Sequence, residues 1–328
     1  MNPTYRLAFF RFLPPIVFLL PAFYSFGQQS QILLKDARLE TLFDGGFFLE
    51  GPAVAPDGRV YFSDITFTSS SGMQAGHVWR YDPKTKKTEI FRSPSGMSNG
   101  ILFDRDGNMI AALGADFGGR QIVKTDMKSG KSTILAAVYD GKRLNSPNDL
   151  VLDARGRIYF SDPRYAGQEP LEQPVEGVYR IDPDGSLHRI IDDNGKPNGI
   201  LVSPDQKHLY VASAGWPVWS EFNGLVQYDL DTMGNVSNRK ILIKYDGAEG
   251  IDGMAIDTEG NLYAARPCAQ PGIYIYSANG TFLDRIPTPE APTNVCFGHG
   301  PTSNYLYITA GKKLYGLRVQ AKGFVRDY

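Results

Sequence analysis

The sequence predicts an all-β fold, a six-bladed β-propeller of four-stranded antiparallel blades, on three observations. A pattern of apolar run, Asp/Gly-rich turn and second apolar run occurs six times, its copies lie about fifty residues apart, and most are followed by a further pair of strand-like runs. A period near fifty with four strands per unit marks a propeller blade, which buries its faces only against its neighbours. No long stretch repeats its apolar residues at the helical spacing of about 3.6.

The copies read, in order, EGPAVAPDGRVYFSDI from Glu50, SNGILFDRDGNMIAAL from Ser98, PNDLVLDARGRIYFSDP from Pro147, KPNGILVSPDQKHLYVAS from Lys196, IDGMAIDTEGNLYAAR from Ile251 and a degenerate TNVCFGHGPTSNYLYITAG from Thr293. Each joins two runs rich in Tyr, Phe, Val and Ile through a short polar turn, the signature of a hairpin. The second pairs include HVWRYDPKTKKTEIF, GVYRIDPDGSLHRII and LVQYDLDTMGNVSNRKIL. The sixth unit is short of its last strand, and Ala37-Arg-Leu-Glu-Thr-Leu-Phe43 is suited to supply it by pairing the first blade with the last.

Residues 1–27 stand apart. Arg6 and Arg11 make a positive start, Phe12 to Phe26 carry no charge, and Ser25-Phe26-Gly27 precedes Gln28-Gln29, which together read as an export signal. The uncharged run is shorter than the ~20 residues of a spanning helix, and prolines interrupt it, so no stable membrane insertion is expected. One propeller domain is expected over residues 28–328, in an exported chain that is periplasmic or secreted. A formal net charge of -1 with scattered Lys and Arg excludes a basic stripe for nucleic acid. Cys268 and Cys296 match no zinc spacing, and the sequence leaves open whether they pair.

Aligned on its first position, the unit starts at Glu50, Asn99, Asn148, Asn198, Asp252 and Asn294, with spacings of 49, 49, 50, 54 and 42 residues. The first strand of a propeller blade is the innermost, so these side chains converge on one mouth of the central channel. All bear oxygen. Turn chemistry accounts for Asn-Gly at 99 and 198 but not for Glu50 or Asp252 at the same register, nor for Asn148 before Asp149. Two carboxylates with several amide oxygens suit a hard divalent cation, Ca²⁺ above all, which takes roughly six to eight oxygens. The four histidines occupy unrelated positions in the repeat, which makes Zn²⁺ less natural than Ca²⁺.

Three other motifs are weaker. Gly96-Met-Ser-Asn-Gly100 matches the nucleophile pattern G-x-S-x-G but runs on into a hairpin rather than a helix. The Asp-x-Asp-Gly turns at Asp104 and Asp182 lack the later ligands of a calcium loop. Gly130-Lys-Ser132 lacks the first glycine of a phosphate loop. Antiparallel pairing returns the ends of the second strands to the same mouth, which proposes a second ring of Asp64, Asp116, Asp162-Pro-Arg-Tyr165, Trp216 and Arg266.

At these residues the chain resembles the gluconolactonase, regucalcin and luciferin-regenerating-enzyme family, most closely its bacterial gluconolactonase branch, in FRSPSGMSNGILFDRDGN and YDGKRLNSPNDLVLDARGRIYFSDPRY. The resemblance implies a metal-dependent hydrolase of sugar lactones in which Glu50, Asn148, Asn198 and Asp252 bind a divalent metal (Ca²⁺, with Mg²⁺, Mn²⁺ or Zn²⁺ as alternatives). It further implies that Asp252 is the general base and that Asn99 lies close to the substrate. Asn148, Arg164 and Tyr165 complete the expected substrate contacts. Where regucalcin-like members carry an Arg two residues before the Asn of the third blade, this chain has Ser146, with Arg143, Asn145 and Arg164 as candidate replacements. The rival readings are an aryl esterase or organophosphate hydrolase on the same metal site, and a non-catalytic sugar-binding propeller.

Overall fold

The structure, a computed structural model, describes residues 32–67, 72, 76–114, 117–167, 169–215, 222–247 and 249–324. The expected export signal, residues 1–27, lies outside the described residues, as do Asp116 and Trp216.

Each hairpin is nucleated by its own turn. The Asp104 carboxylate accepts the backbone N–H groups of Asp106 and Asn108 at 3.0 and 2.8 Å, and Asp153 and Asp257 repeat this one and three blades further round. In the fourth blade the Ser203 hydroxyl takes the same place, accepting from Lys207 and His208. A short acceptor side chain that satisfies its own turn is why Asp and Ser recur there. The turns at Asp104 and Asp182 are thus hairpin turns, as their sequences suggest.

Six four-stranded antiparallel sheets result. The first five are Leu49–Val54 to Lys87–Arg92, Ser98–Phe103 to Ser132–Ala136, Leu150–Leu152 to Leu187–Ile191, Pro197–Val202 to Val236–Tyr245, and Met254–Ile256 to Phe282–Pro287. The sixth holds Pro292–Phe297, Tyr305–Ala310 and Lys313–Arg318, and its outermost strand is Glu40–Asp44, paired antiparallel to Lys313–Arg318. The missing strand is supplied from before the first blade, as the sequence suggested.

The innermost strands touch blade to blade, and the strand Leu49–Val54 meets both Ser98–Phe103 and Pro292–Phe297, which closes the ring. Six apolar clusters fill the six gaps between neighbouring blades. Burial of such side chains is worth about 1.5–3 kcal/mol each, so packing contributes strongly to holding the blades together. The seam between blades six and one has only six fully buried members, against 15 between blades five and six, and it is the seam that the exchanged strand crosses. Leu42 and Phe43 of that strand pack onto it.

Candidate active site

The strand pairing explains how the aligned residues reach the axis. Pairing with the second strand slips beside Glu50, beside Asn99, beside Asn198 and just before Asn294. A bulge turns a side chain out of the alternation that would otherwise fix its face. In blades three and five the first strand begins only at Leu150 and Met254, leaving Asn148 and Asp252 in the loop that enters it.

Gly100 and Gly199, which follow ring residues, serve close approach rather than turning. The Gly100 N–H donates to the Asn148 carbonyl at 2.8 Å and that of Gly199 to the Asp252 carbonyl at 3.1 Å. A Cβ on Gly199 would stand 2.4 Å from the Asp252 oxygen. Asn-Gly at these positions therefore couples each blade to the next through the backbone.

Glu50, Asn99, Asn148, Asn198 and Asp252 line one cavity of about 500 Å³ at a channel mouth, with Ser146 and Tyr165. Asn294, the sixth of the series, lines the channel's other opening instead, together with Asp149. Its Oδ1 accepts from the next backbone N–H, Val295, at 2.8 Å. Apolar walls complete the upper cavity: Phe48, Ile65 and Phe67 from the first blade, Ile251 and Pro267 from the fifth. The rings of Phe48 and Phe67 meet edge to face at 5.3 Å.

Electrostatically the site is negative and under-paired. Burial, then the charge of Asp252, pushes the Glu50 carboxyl well above its usual range. Burial pushes Asp252 up to about 7, opposed by the Asn198 amide and reinforced by the charge of Asp149. Asp149 is itself raised by burial to about 7, although its carboxylate accepts the Leu150 N–H at 2.9 Å. The side-chain oxygens of Asn99 and Asn198 are buried with no hydrogen-bond partner. Such oxygens are costly unless something else supplies a positive partner.

That donor set fits a hard cation: carboxylates at Glu50 and Asp252, and amide oxygens left unsatisfied beside them. Among the described residues no three His, Cys, Asp or Glu side chains gather in metal-holding geometry, so an ion here would depend on the amides. The histidines are elsewhere. His77 bonds Ser93, His188 bonds Ser186, His208 bonds Gln227, and His299 lines the opposite opening. Cys268 and Cys296 are both free thiols.

Of the second ring, Tyr165 reaches the cavity, where its hydroxyl donates to the Ala214 carbonyl at 3.0 Å. Arg164 is placed elsewhere. Its guanidinium donates to the carbonyls of Asn145 and Glu169 at 2.8 and 2.9 Å, because those carbonyls lie within its reach and leave it no span toward the cavity. Arg120 donates to the same Asn145 carbonyl at 3.0 Å, and the Asn145 amide is spent on backbone carbonyls of Asp162 and Val175. Arg143 pairs with Glu172. Asp64 and Asp162 act on backbone: Asp64 accepts from Phe47 and Phe48, and Asp162 from Asn145 and Ser146. Arg266 lies over Tyr245 at 3.6 Å and Tyr274 at 4.7 Å. Ser98, centre of the G-x-S-x-G match, is buried in a strand and bonded to Ser63.

Sequence reasoning did not single out Asp149, Glu249, Phe48 or Phe67 as site residues. Asp149 had a signal, since it follows a ring residue, and so did Phe67, which stands three residues after Asp64 as Tyr165 stands after Asp162; Phe48 and Glu249 lie in loops that enter the first strands of their blades.

The fold and its channel-mouth cluster of oxygen side chains define the class: a six-bladed propeller with a candidate cation site on its axis. Residues 50–312 match the family described as the SMP-30/Gluconolactonase/LRE-like region, and the chain belongs to that family. It is 36% identical over 252 residues to a gluconolactonase of Zymomonas mobilis, covering 71% of this chain and 65% of that protein's length, just under two thirds. It is 30% identical to the pentonolactonase XacC of Haloferax volcanii, covering 79% of this chain and 80% of that one. A solved gluconolactonase structure from Xanthomonas campestris superposes with a TM-score of 0.74 at 28% identity, over 88% of this chain and 91% of the other.

Proposed function

We propose that this protein is a divalent-metal-dependent hydrolase that opens a sugar lactone. The observation that carries the reading is the convergence of Glu50, Asn99, Asn148, Asn198 and Asp252 on one open cavity, two of them with unpartnered amide oxygens. The gluconolactonase and pentonolactonase among its relatives support the substrate class.

In this reading Glu50, Asn148, Asn198 and Asp252 hold the metal, and Ca²⁺ suits their all-oxygen chemistry best. When bound, the cation supplies Lewis-acid polarisation of the lactone carbonyl. Asp252 is the general base: it lines the cavity, where its carboxylate can take a proton from attacking water. The same carboxyl then returns the proton to the ring oxygen as the ester C–O bond breaks. Asn99 and Asn148 orient the substrate. Tyr165 walls it, its hydroxyl fixed by Ala214. Arg164 steadies the loop that carries Asn148 through its bond to Asn145.

A second reading, an aryl esterase on the same site, is favoured by the apolar wall of Phe48, Ile65 and Phe67. One experiment separates the readings: hydrolysis of aldonolactones and aryl esters by metal-stripped protein, with Ca²⁺, Mg²⁺, Mn²⁺ or Zn²⁺ added back, beside Glu50→Gln. Metal-dependent lactone opening that the variant loses supports the lactonase. Turnover of aryl esters alone moves the assignment to the esterase, and cation binding without any turnover moves it to a binding propeller.

A further inference from the structure

The charged residues on the cavity wall are all acidic. Glu50, Asp252 and Glu249 line it, and among the described residues no Lys, Arg or His does. The internal segments outside the described residues, 68–71, 73–75, 115–116, 168, 216–221 and 248, contain no Lys, Arg or His in their sequence either.

The described cations that adjoin lining residues, Arg164 beside Tyr165, Lys196 over its ring and Arg266 beside Pro267, are already engaged. Arg164 donates to Asn145 and Glu169. Lys196 donates to the Arg164 carbonyl at 2.9 Å and lies over the Tyr165 ring at 5.0 Å. Arg266 stacks against Tyr245 and Tyr274. Glu249 differs from the other two acids in being exposed, and no described residue pairs with it. A dication held by Glu50 and Asp252 would balance those two charges and leave Glu249 as a negative rim.

We infer that this site selects uncharged lactones and that Glu249 is the residue that turns away anionic ones, those carrying a phosphate or a second carboxylate. The inference rests on the lactonase reading and adds the charge class of its substrate. An anion brought beside Glu249 meets like charge with no compensating cation on the described wall, which weakens its binding. The neutral ring meets no such penalty, and its C–H face can lie on Phe48 and Phe67.

The test compares kcat/KM for an aldonolactone and for the same lactone carrying a terminal phosphate, in wild type, Glu249→Gln and Glu249→Lys. Calorimetry with the corresponding lactams, which do not open, reads binding apart from turnover. Wild type should favour the neutral lactone by about a hundredfold or more. Glu249→Lys should shrink that ratio by about tenfold, Glu249→Gln by less, and added salt should weaken the change. Because the side chain is exposed, both variants should melt with wild type. Similar kcat/KM for the two lactones, or a ratio indifferent to both variants, overturns the inference. If no lactone opens but the neutral lactam still binds in preference to the phosphorylated one, the lactonase reading fails and the charge selection stands. Lactams that bind alike, or not at all, remove the selection.

Discussion

The backbone N–H of Ser146 donates to Asp162 Oδ1 at 2.7 Å, and the preceding N–H, of Asn145, donates to Oδ2 at 2.8 Å. One buried carboxylate at the end of the third blade's second strand thereby sets the course of the chain two residues before Asn148. Asp64 stands at the same register in the first blade and fixes Phe47 and Phe48 just before Glu50. The Asp of the recurring Ser-Asp pair is thus a support for the ring residue of its own blade.

Asp162→Ala should remove that support. Each orphaned buried N–H costs about 1–3 kcal/mol, so denaturant unfolding should show a loss of that order or more. Displacement of Asn148 should lower kcat/KM for the best lactone by about tenfold to a hundredfold in the fraction that remains folded. Unchanged stability would show that the two N–H groups find other acceptors.

Metal-free protein should lose stability as pH rises toward neutrality, and an added cation should restore it most at high pH. Asp149, Asp162 and Asp252 are pushed to about 7, in each case chiefly by burial. The folded state therefore keeps protons that the unfolded chain, with ordinary carboxyls, has already released. Their contribution is complete below about pH 4 and is lost as pH climbs to about 7. Glu50 is raised in the same direction, and a cation that binds the ionised carboxylates of Glu50 and Asp252 competes with their protons, so its effect grows as pH rises. Melting temperature with and without Ca²⁺ at about pH 5 and about pH 8 checks this; an equal shift at both would count against a cation held by these groups.

Asp252→Asn should keep the fold and reduce kcat by about a hundredfold to ten-thousandfold, the range of a lost general base. Circular dichroism and melting provide the control. Full turnover in the variant would remove Asp252 from that role.

Gly253→Ala should be badly tolerated for so small a change. A Cβ there would stand 1.9 Å from Asn294 Cγ, where the fifth blade presses on the sixth. Overpacking of this kind costs about 1–3 kcal/mol, and the displaced residue neighbours Asp252. Thermal unfolding and lactone hydrolysis should both report the loss, whereas Gly130→Ala, where a Cβ would meet nothing within 4 Å, should spare hydrolysis.

Much of this protein was legible because it is local and repeated. An Asp or Ser that accepts its own turn's N–H groups, followed by a run of β-branched and aromatic residues, specifies a hairpin wherever it occurs, and five such copies with a degenerate sixth near a fifty-residue period leave little choice but a propeller. The closing strand could be read from the sixth unit's shortfall together with the apolar stretch before the first. Register alone brought Glu50, Asn99, Asn148, Asn198 and Asp252 to one opening.

Tertiary structure decided the rest. Asn294 shares the register of the others yet lines the channel's other opening, while its amide still bonds the Glu50 carboxyl. Arg164 carries the charge expected of a substrate contact, but where its guanidinium points depends on carbonyls of Asn145 and Glu169 that only folding brings within reach. Phe67 and Glu249 are 182 positions apart, so their common place on the cavity wall follows from ring closure. Secondary structure and blade order follow from interactions within a few residues, which a sequence displays; the facing of a side chain into a shared cavity depends on neighbours from other blades, which it does not.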